Sequence, residues 1–291
     1  LSKFYYINPI GKESPDLFQT FTPIFIKEGH EIVDRVEDAD VVFWDLFSGL
    51  GEYDENIMKI VVAKELPTIV WDESDFGAMS KESWEIEKWV AVSEYQKIVY
   101  FMRKMSKEIK YPSWVYPCEK TIQNIFPITT KEELCSRPYD AFFAGNVSPT
   151  RKNFIDGLID GGLKVDVHWT NENGKLPYDE WLKRARQSKL FITSDGGGFS
   201  DERPYQLITV AAMLRQKNNH LQAHPFTDCV NCLEASECPT QEEIEGIKTV
   251  LNDHDYLYEI YLEGINHMKE HYSPEARAKY LLSILTKEGI V

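Results

Sequence analysis

The chain has 291 residues, enough for one large α/β domain or two ordinary ones, and 43% hydrophobic with 13% aromatic content can furnish real cores. Lys and Arg number 32 against 47 Asp and Glu, a formal net charge of −15, which argues against a nucleic-acid backbone as partner unless basic residues cluster locally. No run of about 18 apolar residues exists to cross a membrane, no secretory leader is legible, and five cysteines are too sparse and too odd a number for a disulfide framework. A cytoplasmic location is expected, and a chain opening on Leu1 fits a trimmed protein or a piece of a longer one.

The first half alternates strand and helix. Residues 4–7 read as a strand, Asn8-Pro9-Ile10-Gly11 as a turn, and 16–27 as a helix ending at Glu28-Gly29-His30. Further strands are expected at 31–33, 40–44, 68–71 and 90–92, with helices near 55–64 and 95–106. The strands are continuous apolar runs without polar alternation, as in a parallel sheet covered on both faces. Pro112, Pro117, Pro127 and Pro138 then punctuate the chain, which marks an interdomain connection. The division expected is 1–118, a linker over 119–138, and 139–291.

The second half repeats the pattern. Strands are expected at 141–144 and 165–169, and helices at 151–159 and 178–187. Lys189-Leu190-Phe191-Ile192-Thr193 is a strand that runs into Asp195-Gly196-Gly197-Gly198. Ser200 then reads as an N-cap, with Asp201 and Glu202 in the first turn of a helix whose apolar period runs to Leu214. Another strand is expected at 220–224, and helices at 241–251, 256–271 and 274–287. The fold class is α/β: two Rossmann-like, doubly wound domains facing each other across a cleft at the carboxyl ends of their sheets, where ligands of open α/β sheets bind.

Two loops of the second half carry the chemistry. A strand, a glycine turn and a helix N-terminus present backbone N–H groups to a phosphate, and Arg203 adds a guanidinium one turn into that helix. The glycine spacing is neither G-x-G-x-x-G nor G-x-x-x-x-G-K-[ST], so an ordinary tight connection reads equally well. Asn146-Val147-Ser148-Pro149-Thr150-Arg151-Lys152 is a second helix start, with adjacent cations. Both loops belong to one sheet edge, so two helix N-termini and three cations converge on one diphosphate; the alternative is a solvated helix start. The sequon Asn146-Val147-Ser148 means nothing in a cytosolic protein.

The run Asp140-Ala141-Phe142-Phe143-Ala144-Gly145-Asn146 with Arg151, followed by Ser194, Gly198 and Arg203-Pro204-Tyr205-Gln206, resembles the nucleotide-binding half of GT-B glycosyltransferases. It is most similar to the glycosyltransferase family 1-like group that includes the spore protein CgeB. The tail HMKEHYSPEARAKYLL, residues 267–282, resembles that group's closing helices, and Gly29-His30-Glu31-Ile32-Val33 is similar to the G-H-E-V turn of GT-B N-terminal domains. The resemblance implies transfer of a sugar from a UDP- or GDP-linked donor to a hydroxyl of a glycan or other acceptor held by the first half. The donor would meet Asn146, Arg151, Lys152, Gly196, Gly197, Gly198, Phe199, Ser200, Glu202, Arg203 and Gln206, with no cofactor beyond the nucleotide-sugar and no metal. Family members usually carry Glu, a ribose ligand, where this chain has Gln206. Gln accepts from one hydroxyl but lacks the charge, and Glu202 in the same turn is a substitute.

An inverting transferase also needs a base for the acceptor proton. Trp71-Asp72-Glu73-Ser74-Asp75 follows a first-half strand, so Asp72 is the first candidate and Asp75 the next, against helix capping or simple solvation. His30, at a helix end, reads as structural. His224-x₄-Cys229-x₂-Cys232-x₅-Cys238 lacks the second compact pair of a zinc site and reads as ordinary loop cysteines. Trp44, Trp71, Trp84, Trp89 and Trp169 read as core. Three rival readings stand. A glycosyltransferase acting on modified DNA is opposed by the net charge. A non-catalytic two-lobed binding protein would seal its cleft without diphosphate-facing cations. A nucleotide-cofactor oxidoreductase lacks its fingerprint.

Overall fold

The computed structural model describes residues 1–7, 16–46, 55–72, 98–102, 111–112, 127–194, 207–217 and 226–291. The chain forms two compact units, chiefly Leu1–Glu119 with Tyr272–Val291, and Lys120–His220 with His224–His271.

The first unit holds β1 (Lys3–Ile7), α1 (Asp16–Lys27), β2 (Glu31–Ile32), β3 (Val41–Leu46), α2 (Glu55–Ala63), β4 (Thr68–Asp72), β5 (Ile98–Met102) and β6 (Tyr111–Pro112). The strands form one sheet, in the order β2-β1-β3-β4-β5-β6, with every pair parallel. Successive side chains on a strand point to opposite faces, and here both faces are buried. Phe4, Tyr6, Val41, Phe43 and Ile69 pack with Phe21, Ile24 and Phe25 of α1. Ile7 and Val42 pack on the other side with Val36, Ala39, Val61 and Leu66. This two-sided burial is why the strand sequences show no polar alternation.

The second unit holds α3 (Lys131–Cys135), β7 (Tyr139–Gly145), α4 (Pro149–Asp160), β8 (Val165–Trp169), α5 (Thr170–Asn173), α6 (Tyr178–Ala185), β9 (Ser188–Thr193), β10 (Ala212–Gln216), β11 (Leu233–Ala235), α7 (Gln241–Asn252) and α8 (His254–Tyr272). Its sheet is also parallel, in the order β11-β10-β9-β7-β8. The final helix, α9 (Pro274–Lys287), puts Ala278, Leu281, Ile284 and Leu285 into the α1 side of the first core. It therefore belongs with the first unit, whereas the sequence reading kept 139–291 together. An apolar stripe shows that a helix is buried, not against which sheet.

Three expectations are corrected. The helix expected at 95–106 is interrupted by β5, whose Ile98-Val99-Tyr100-Phe101-Met102 is β-branched and aromatic. The helix expected from Ser200 to Leu214 cannot run so far, because Ala212–Gln216 is strand β10, buried along its whole length. A short apolar run buried on all sides has no period to separate strand from helix. The end of the expected linker is built into the second unit. There Arg137 donates from Nη1 to the carbonyls of Ser188, at 2.9 Å, and Val210, at 2.7 Å. Tyr261 donates its hydroxyl to the Thr209 carbonyl and accepts the Thr129 N–H at 2.9 Å. The strands expected at 90–92 and 220–224 lie outside the described residues. Among the described residues, no helix is long and apolar enough to cross a membrane.

Candidate functional site

In the second sheet the chain leaves β7 for β8 on one side and returns to β9 on the other. A reversal of strand order such as this is where open α/β sheets bind ligands, beyond the carboxyl ends of their strands. Pairing sets the rim. Gly145 is opposite Trp169, Arg215 opposite Thr193, and Gln216 opposite Ala235. Trp169, Gly145, Ser194, Gln216 and Ala235 thus stand at one level across the sheet. The first sheet has the same reversal, between β1 and β3.

The helix start after β7 is built by short-range rules. Ser148 caps α4 by accepting the Arg151 N–H on Oγ at 3.3 Å, and Pro149 fills the first helical position, where an N–H has no intrahelical partner. The Val147 N–H donates to Oδ1 of Asn171 at 2.9 Å, which ties this loop to α5 beyond β8. Arg151, half-buried, donates from Nε to the Ser194 carbonyl at 3.1 Å and from Nη1 to the Asn146 carbonyl at 3.2 Å. One guanidinium therefore joins the ends of β7 and β9 across the reversal. Ser194 is buried, and its hydroxyl donates to Oε1 of the buried Gln216 at 2.5 Å. Further along the rim Glu243, in the first turn of α7, accepts from Lys217, at 2.8 Å, and from the Ser236 hydroxyl, at 2.7 Å.

Of the residues singled out in the sequence, Asn146 and Arg151 are brought together at the rim. Lys152 is exposed and ion-paired along α4 with Asp156, whose hydrogen bond raises its pKa. Asp72 is the last residue of β4, paired opposite Leu46 at the carboxyl edge of the first sheet. Asp75, Gly196, Gly197, Gly198, Phe199, Ser200, Glu202, Arg203 and Gln206 lie outside the described residues. His30 accepts the Ser2 N–H on Nδ1 at 3.3 Å and packs edge-on to Phe4; burial lowers its pKa. Cys232 is buried, which pushes its thiol pKa far up, whereas Cys229 and Cys238 are exposed. Among the described residues no group of His, Cys, Asp and Glu side chains is assembled for a metal ion, and His224 lies outside them. Sequence reasoning missed Asn171 and Gln216. Their partners are 24 and 22 residues away, beyond the reach of any spacing rule.

No protein-family model matches the sequence, and no curated protein matches it either. Solved structures do. HepE from Anabaena, in complex with UDP and glucose, is similar at a TM-score of 0.55 and 8% identity, over 99% of this chain and 100% of that one. Sucrose-phosphate synthase from Thermosynechococcus elongatus is similar at 0.56 and 9% identity, over 99% of each chain. These neighbours are GT-B glycosyltransferases, and the chain has the GT-B glycosyltransferase fold, with two parallel sheets flanked by helices.

Proposed function

We propose that the chain is a glycosyltransferase that moves a sugar from a UDP- or GDP-sugar to a hydroxyl of a glycan or other acceptor. The donor is held by the second unit and the acceptor by the first. The observation that carries this reading is Arg151, held at the start of α4 between the ends of β7 and β9. As the glycosidic bond to the β-phosphate breaks, charge develops on the leaving diphosphate. A guanidinium and a helix N-terminus set in place beforehand stabilise that charge without needing to reorganise. The likeness to HepE, whose structure holds UDP and glucose, supports the same reading.

The remaining roles follow from the sequence. The stretch Gly196-Gly197-Gly198-Phe199-Ser200 adds backbone donors to the diphosphate, Arg203 a second guanidinium, and Gln206 or Glu202 an acceptor for ribose hydroxyls. Asp72, at the carboxyl edge of the first sheet, takes the acceptor hydroxyl's proton as its oxygen bonds to the anomeric carbon. No metal or cofactor enters this scheme.

Isothermal titration with UDP, GDP, ADP and NAD tests it, alongside release of nucleoside diphosphate from the matching sugar conjugates. The expected result is binding of UDP or GDP and turnover of the corresponding sugar donor. Binding of NAD alone, or of none of the four, would overturn the proposal.

A further inference from the structure

Gln216 ends β10 and Ser194 follows β9, and their side chains are buried against each other at the rim, with the residues 7% and 0% exposed. Each needs the other, because a buried polar group without a partner is costly. Yet the pair is a weak way to hold the sheet together. A neutral buried hydrogen bond adds only about 1 kcal/mol net, and two apolar side chains of the same shape would serve stability about as well. What the pair fixes is direction. With its hydroxyl bound to β10, Ser194 cannot turn about the strand axis, so its carbonyl stays aimed at Nε of Arg151. The glycine stretch begins two residues after Ser194 in the sequence, at Gly196. Gln216 is thus joined to the Arg151 guanidinium through Ser194, while Asn146 holds the guanidinium from the β7 side.

We propose that Gln216 is a positioning residue for the donor diphosphate, acting through Ser194 on Arg151 without touching the donor. This rests on the glycosyltransferase reading above. Removing the acceptor oxygen frees Ser194 to rotate, and the guanidinium then has to be ordered at the cost of binding.

The test uses Gln216→Leu, which keeps the volume, and Ser194→Ala, each with and without Arg151→Ala. Two quantities are measured: the Kd for UDP, and the solvent exchange of the Arg151 Nε–H in arginine-labelled protein by NMR. Each single substitution is expected to weaken UDP about five- to tenfold and to speed Nε–H exchange, with little further loss in the Arg151→Ala background, as for residues acting through one group. Unchanged UDP affinity in folded variants, or losses that add fully to that of Arg151→Ala, would overturn the inference. So would failure of both variants to fold, since the pair would then be a folding element. If the wild-type chain binds no nucleoside diphosphate the functional reading fails, while the exchange measurement still decides whether Gln216 holds Arg151.

Discussion

The Nε of Arg151 lies 3.1 Å from the carbonyl oxygen of Ser194, 43 residues further along the chain. Arg151 lies in the first turn of the helix that follows β7, and Ser194 directly follows the neighbouring parallel strand β9, so the contact exists only once β7 and β9 have paired. A hydrogen bond from a charged donor is worth roughly twice a neutral one, and this one spends the charge at the place where the strand order turns.

Replacing Arg151 with Ala should weaken UDP binding by about 10- to 100-fold, the loss of one or two charge-assisted hydrogen bonds. The melting temperature should fall modestly as well, because the bonds to the Ser194 and Asn146 carbonyls go with the side chain. Arg151→Lys should recover only part of the affinity, since an ammonium cannot reproduce the planar fork. Titration calorimetry of the three proteins decides it, and unchanged affinity in Arg151→Ala removes the residue from the donor site.

Asp72→Asn should lower kcat by about 100- to 10,000-fold, the usual range for loss of a general base, with UDP affinity unchanged. Full turnover in this variant would take the role from Asp72 and pass it to Asp75. A parallel loss of affinity and rate would instead mean that the strand end had been disturbed.

Much of the fold was legible because α/β alternation is written locally. The apolar runs at 4–7 and 141–144 became β1 and β7, and the helix expected at 151–159 is α4, which the Ser148 cap and Pro149 start two residues earlier. The placement of two candidate residues was legible to the same depth: Asn146 follows a strand and Arg151 lies in the first turn of the next helix. What stayed hidden depends on partners distant in sequence. The run Leu207 to Leu214 reads as a helix until β9 is placed beside it, and Gln216 has no role until Ser194 is there to meet it. The helix at 274–287 was legible, but its partner α1 lies at the other end of the chain.

Two helical glycines should respond to alanine with opposite signs. A Cβ at Gly246 in α7 meets nothing within 4 Å, so Gly246→Ala should stabilise by about 0.5 to 1 kcal/mol through helix propensity and a less free unfolded chain. A Cβ at Gly264 in α8 would stand 2.8 Å from the Asn231 carbonyl oxygen and 3.2 Å from Ile208. Backbone cannot yield as a side-chain tip does, so Gly264→Ala should destabilise by about 1 to 3 kcal/mol despite the better propensity. Urea denaturation of both variants is the measurement, and a stabilised Gly264→Ala would refute the close packing of α8 on the loop carrying Asn231.

Glu243 links pH to the stability of the second unit. Burial pushes its pKa up, but hydrogen bonds from Lys217, the Thr240 N–H, and the Ser236 hydroxyl and N–H outweigh this and hold it at about 2, against an ordinary 4.5. A carboxyl group with a depressed pKa in the folded state contributes stability above its unfolded pKa and loses it as pH falls through the folded value. The contribution should therefore be complete at neutral pH and disappear between about pH 4.5 and pH 2. Discounted for solvent screening it is about 1 to 2 kcal/mol, or roughly 2 to 8 °C in melting temperature for a unit of this size. Glu243→Gln keeps one acceptor oxygen but not the charge, so its melting temperature should fall below wild type by that amount at neutral pH and converge with it on acidification. A gap that stays constant down to pH 2 would show that Glu243 acts only by packing and capping α7, with no charge-linked component.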